Sequence, residues 1–128
     1  QEAVFQKLTS DTALAALVGT AIFDAVPAGS LPETYVTLGP EDVRARADGS
    51  GGGAWHRLTV SVITSAAGFH AAKQVAATIS EILSDADLTL GHGHLVALNF
   101  YRARARREGT GAERRIDLTF RARTQDSF

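Results

Sequence analysis

Between Trp55 and Ala86 the spacing of apolar residues changes period once, and that change marks the centre of the chain. In residues 55–64, Leu58, Val60 and Val62 alternate with Arg57, Thr59 and Ser61, while His56 and Thr64 bracket the set. A period of two predicts a strand with one dry face and one wetter face. After Ser65–Gly68, Phe69, Ala72, Val75, Ala76, Ile79, Ile82, Leu83 and Ala86 recur at three- and four-residue steps. Lys73, Gln74, Ser80, Glu81 and Asp85 take the other side, which predicts an amphipathic helix of about five turns. Burying its large apolar side chains contributes on the order of 10 kcal/mol. Ordering roughly eighteen backbone residues costs more than that. The helix therefore needs a sheet beneath it, and the preceding strand is where that sheet starts.

The N-terminal stretch shows the helical period again, with Val4, Phe5, Leu8, Leu14 and Leu17 as its apolar set. Thr9-Ser10-Asp11-Thr12 interrupts it with four capping-type residues, so two short helices joined by a turn, or one kinked helix, are expected. Gly19 is placed to end the second as a left-handed C-terminal residue. Residues 21–24 read as a short extended piece. Pro27, Gly29 and Pro32 force an irregular crossing before Tyr35–Leu38, a clear strand whose propensity continues weakly through Val43 and Arg46. Asp48–Ala54 then carries four glycines in seven residues and is expected to be a mobile hairpin tip.

The last third reads as a long hairpin, with arms Leu95–Arg107 and Glu113–Thr124 and a turn at Glu108–Ala112. Ile116, Leu118, Phe120 and Ala122 alternate cleanly with Asp117, Thr119, Arg121 and Arg123. The first arm switches parity. Val96, Leu98 and Phe100 share one phase, whereas Tyr101, Ala103 and Ala105 take the other and Arg102, Arg104 and Arg106 fill the first. A one-residue bulge near Phe100–Arg102 would return the apolar groups to one face, and is favoured. Without it the arginines beyond Phe100 would sit on the core side and the arms would have to project past the core.

Composition narrows the classes. A chain of 128 residues, 45% hydrophobic, suits one α+β domain spanning 1–128. A net charge of −1 gives no global argument for nucleic acid or a membrane surface. The chain has no cysteine, which removes disulfides and thiolate metal sites, and no apolar run approaches the ~18 residues that span a bilayer. No signal peptide is legible, and residues ahead of Gln1 are expected. The glycine run leads into a strand with no Lys-Ser/Thr pair after it, unlike a phosphate-binding loop. His92 and His94 would need further ligands to hold a metal, with only His56, His70 and scattered carboxylates to supply them, and no serine sits in a nucleophile-elbow context. The residues thus offer no catalytic constellation, and no cofactor or metal is expected.

The order of segments resembles the tail completion, or tail terminator, proteins of long-tailed bacteriophages and gene transfer agents. The resemblance rests on Leu17–Pro27, Leu31–Gly39, His56–Val60, a glycine before an alanine-spaced helix, Leu88–Leu90 with Leu95-Val96, and an arginine-bearing hairpin, and it covers nearly the whole chain. It implies helices packed on one face of a mainly antiparallel sheet. It further implies a homo-oligomer, a ring of six copies, that caps the tail tube protein, stops its polymerisation and joins it to the head–tail connector protein. DNA would pass through without sequence-specific binding, in a virion assembled in the bacterial host cytoplasm. Such a protein is structural, not an enzyme.

Charge is uneven within this frame. Residues 102–128 hold eight of the thirteen basic residues against four acids. A solvated strand face with local pairs such as Arg104 with Asp117 is one reading, each pair worth well under about 1 kcal/mol. The sharper one is that Arg102, Arg104, Arg106, Arg107, Arg114 and Arg115 form a subunit interface with acidic surface on the adjacent copy or the next ring. A small α+β enzyme or ligand-binding module, and a nucleic-acid-binding domain using these arginines, are the competing classes.

Overall fold

The expected central strand is β3 (Gly53–Thr64), third in a five-stranded sheet of order β1-β2-β3-β5-β4. Its partners are β1 (Ile22–Phe23), β2 (Thr34–Ala45), β4 (His94–Glu108) and β5 (Glu113–Gln125). The computed structural model describes residues 2–24, 29, 31–45, 53–66, 68–84, 94–108 and 113–125. All strand pairs are antiparallel except the two-residue parallel pair of β1 with β2. Three helices complete the α+β fold: α1 (Glu2–Thr9), α2 (Thr12–Val18) and α3 (His70–Leu83).

The capping run does break the N-terminal helix in two. Asp11 is extended (φ −84°, ψ 125°), and its side chain accepts from the Leu14 N–H at 3.0 Å, satisfying an orphan donor of α2. Gly19 closes α2 with its N–H donating to the Ala15 carbonyl at 2.8 Å. Its φ of 60° is positive as expected, but ψ is −126°, outside the left-handed helical well. The chain instead turns there, the Ala21 N–H donating to the Val18 carbonyl at 3.0 Å, before it enters β1. Gly39, at φ 100°, sits in the register shift between Leu38 and Glu41 of β2, where a side chain would be strained.

Val75, Ile79 and Leu83 of α3 and Val4, Leu8 and Leu14 of α1 and α2 share one buried cluster with Val36, Leu38, Leu58, Val60, Val62, Ile116, Leu118 and Phe120 of the sheet. The helices thus cover a single sheet face, and Ile79, Leu83 and Phe120 are fully buried there. The opposite face is drier than its alternation suggests. Ser61, Ile63 and Tyr35 lie on it and are all buried, because cross-strand neighbours cover them: Tyr35 stands opposite Ile63, and Ile63 opposite Arg115.

Boundaries moved where pairing outlasts propensity. β2 runs to Ala45, with Arg46 outside the described residues, and β3 begins at Gly53 because Gly53 and Ala54 pair with Gln125 and Thr124. α3 ends at Leu83, with Ser84 extended as its C-cap (φ −66°, ψ 119°), short of the expected Ala86. Residues 48–52 of the expected mobile tip, residues 85–93 and residues 109–112 of the expected hairpin turn lie outside the described residues. In the hairpin, Phe100 pairs with Phe120 and Arg102 with Thr119, so Tyr101 is the inserted residue of the expected bulge. A second register shift lies between Leu95 and Ala97.

Candidate assembly surface

The bulge gives the far half of β4 two chemically different faces. Ala103 and Ala105 stand opposite Leu118 and Ile116, on the helix side; Arg102, Arg104 and Arg106 stand opposite Thr119, Asp117 and Arg115, on the side without helices. Successive arginines on that face are about 6.8 Å apart along the strand. β4 is also an edge strand, with β5 on one side and no described strand on the other, so Arg102, Arg104, Arg106 and Arg107 are all exposed.

The helix side of β4 is not covered either. Lys73, Ala76, Ala77 and Ser80 of α3 stand off from Phe100, Ala103 and Ala105, leaving an open groove of about 280 Å³ floored by Ile116 and Leu118. Phe100 is 45% exposed, the one exposed large hydrophobic residue among those described. It keeps an edge-on contact with Phe120, ring centroids 5.9 Å apart. The parity of Ala103 and Ala105 was legible in the sequence. That α3 stops short of them was not, because alternation says which face a residue is on and nothing about what lies over it.

On the other face a compact polar network organises the arginines. Ser61 Oγ donates to Asp117 Oδ1 at 2.6 Å, Arg115 Nε donates to the same oxygen at 2.8 Å, and Arg115 Nη2 donates to Ser61 Oγ at 3.2 Å. Arg106 Nε lies 3.4 Å from Asp117 Oδ2. Burial alone would raise the Asp117 pKa. Hydrogen bonds from Arg115 and Ser61, with the charges of Arg115 and Arg106, outweigh it and hold the carboxyl below its usual value. Asp117 is thus tied to Arg115 and Arg106, although Arg104 is its cross-strand partner in register. Beyond this network the face turns aromatic, with Phe23 and Tyr35 6.0 Å apart. Burial raises the Tyr35 phenol, nearby Glu113 adds to the rise, and Arg115 opposes it.

The six sequence-predicted arginines therefore separate into two groups. Arg114 is turned inward, donating to the Ala66 carbonyl at 3.2 Å with its guanidinium 5.6 Å from the Phe69 ring centre, and so anchors the link between β3 and α3. Arg115 is half-buried in the Asp117 network. Arg102, Arg104, Arg106 and Arg107 remain on the surface. With Thr59, Arg115, Asp117 and Thr119, the first three line a shallow depression of about 270 Å³. One carboxylate among four guanidinium groups leaves it strongly cationic, suited to binding anions or acidic side chains. Among the described residues, no cluster of three or more histidines and carboxylates could hold a metal, and no helix is long and apolar enough to cross a membrane.

Known proteins share this fold. The sequence matches the family described as tail completion protein gp17 over residues 2–125. The chain belongs to that family. It is a structural protein of a phage-type tail. A solved chain from the "Virion of native gene transfer agent (GTA) particle" is 57% identical and superposes with a TM-score of 0.91, covering 96% of this chain and 92% of its own. No curated protein matches the chain.

Proposed function

We propose that this tail completion protein assembles as a ring of six copies that caps the tail tube, stops its growth and joins it to the head–tail connector. The observation that carries this reading is the 57% identity, over nearly the full length of both chains, to a component of a gene transfer agent virion. The ring would sit at the head–tail junction, formed in the bacterial host cytoplasm, with the tail tube protein on one face and the connector protein on the other. DNA passes through its hole without sequence-specific contact.

The surface chemistry agrees with an assembly role. β4 exposes Phe100 and two alanines on its helix side, which suits water poorly, and three arginines on the other, which an acidic partner would complement. A neighbouring copy would cover it, so Arg102, Arg104, Arg106 and Arg107 are the interface residues; Arg114 and Arg115 support them from within the fold. The test is native mass measurement of wild type and of R104E/R106E across a salt series. Closed rings that loosen with rising salt in the wild type, and fail in the variant, are expected. Rings that persist in the variant and at high salt, with impaired DNA passage instead, would move the arginines to the channel.

A further inference from the structure

The side of the sheet without helices carries positive charge well beyond its β4 margin. Arg102, Arg104, Arg106 and half-buried Arg115 occupy one half of it, and the register adds Arg57, Arg121 and Arg123 on the other half. From Arg115 to Arg121 the band runs about 20 Å along β5. At the β2 margin Asp42 stands opposite Arg57 and Arg44 opposite Trp55, one charge of each sign. At the hairpin end Glu108 stands opposite Glu113 and closes the band with negative charge. Between those limits seven arginines share β3, β4 and β5 with Asp117 alone, on a chain whose net charge is −1.

Two details decide which partner fits the centre of that band. Arg57 and Arg121 stand directly opposite each other on the β3–β5 pair, where like charges oppose at a cost. Both are exposed, although each also makes a contact within the chain, and an anion between them relieves the cost. The centre also lacks an apolar anchor among the described side chains. Tyr35, Ser61 and Ile63 are buried, and Phe100, the one exposed large hydrophobic residue described, lines the groove on the helix side. Protein partners bury an apolar centre depleted of charge, whereas nucleic acid meets a polar, strongly positive surface. Every cation of the band is a guanidinium, which holds phosphate through two donors. The two lysines of the chain, Lys7 and Lys73, lie on α1 and α3 instead. We infer that Arg57 and Arg121 bind the phosphate backbone of duplex DNA without reading its sequence. The β4 arginines, on the sheet margin, remain for the neighbouring copy. This inference rests on the ring reading above for its place in the particle, and names the face turned to the DNA. Contacts carried by charge alone let the duplex slide, because every phosphate is equivalent.

Fluorescence anisotropy of the full chain with two labelled duplexes of equal length and unrelated sequence, over a salt series, tests this. The wild type should bind both duplexes equally. R57Q/R121Q should bind roughly tenfold or more weakly at low salt, and its slope of log affinity against log salt should be shallower by about 2. Its rings and its melt should match the wild type, which separates lost binding from lost folding. K7Q/K73Q makes the same change in net charge on the helix side and should leave affinity and slope near wild type. R57K/R121K keeps the charge and should keep most of the affinity. An equal loss in K7Q/K73Q, a preference for one duplex, or full displacement of the DNA by polyglutamate at equal charge concentration would overturn the phosphate assignment. Wild-type rings that bind no duplex DNA would overturn it too and leave the ring reading intact. Wild-type protein that shows the expected binding pattern yet forms no ring would support the phosphate site and overturn the ring reading.

Discussion

Replacing Asp117 with alanine removes the hub of the network beneath the exposed arginines. The Ser61 hydroxyl, on a fully buried residue, loses its acceptor 2.6 Å away. An unsatisfied buried hydroxyl costs about 1–3 kcal/mol. Arg115 and Arg106, with side chains 29% and 46% exposed, are rehydrated from solvent, so their lost pairing adds under about 1 kcal/mol. A destabilisation of about 2–3 kcal/mol follows, a fall in Tm of roughly 6–12 °C for a domain of this size. D117N keeps an acceptor for Ser61 and should lose about 1 kcal/mol or less. Thermal and urea unfolding at neutral pH measure both, and S61A in the D117A background should add little, because the two share one interaction. The pH dependence has a definite sign. The folded carboxyl titrates below its usual value near 3.8, so its contribution is complete above that pH and is lost as pH falls through the lower folded value. The stability gap between wild type and D117N should therefore close as acid is added below about pH 4. An unchanged melt for D117A, or a gap that widens in acid, would refute the reasoning.

Other perturbations probe the rest of the fold. I79A empties a fully buried position between α3 and the sheet and should cost about 2–5 kcal/mol in urea unfolding; no change would place that helix face outside the core. D11A should cost about 1 kcal/mol through loss of the α2 cap, recovered in part by D11N. R114A removes the Ala66 bond and the Phe69 contact; about 1 kcal/mol of stability should go, along with protection of the Ser65 and Ala66 amides from hydrogen exchange. F100D should leave the melt within about 1 kcal/mol of wild type, since the ring is half exposed, yet weaken assembly if a neighbour covers the groove.

Much of this architecture was legible because the local signals agree. The alternation around Leu58–Val62 and Ile116–Ala122, the three- and four-residue spacing from Phe69 to Leu83, and the capping run at Asp11 each point to what formed. The bulge was legible as the favoured of two readings, since an inserted residue returns Phe100 and Ala103 to one face. Strand order was not: that β5 lies between β3 and β4 depends on long-range pairing that no local period encodes. The burial of Ser61 and the inward turn of Arg114 escaped for the same reason, as both depend on a strand or loop distant in sequence. The candidate surface was readable as charge, eight basic residues in the last 27. The division of those arginines into exposed and internally engaged sets needed the register.

The central claim is that this chain closes into a ring. Native mass measurement of the full chain at low and high salt, with negative-stain imaging of the same samples, addresses it most directly. Closed rings of six copies at low salt that loosen into smaller species as salt rises are expected. A chain that stays monomeric at every concentration and salt level would contradict the account.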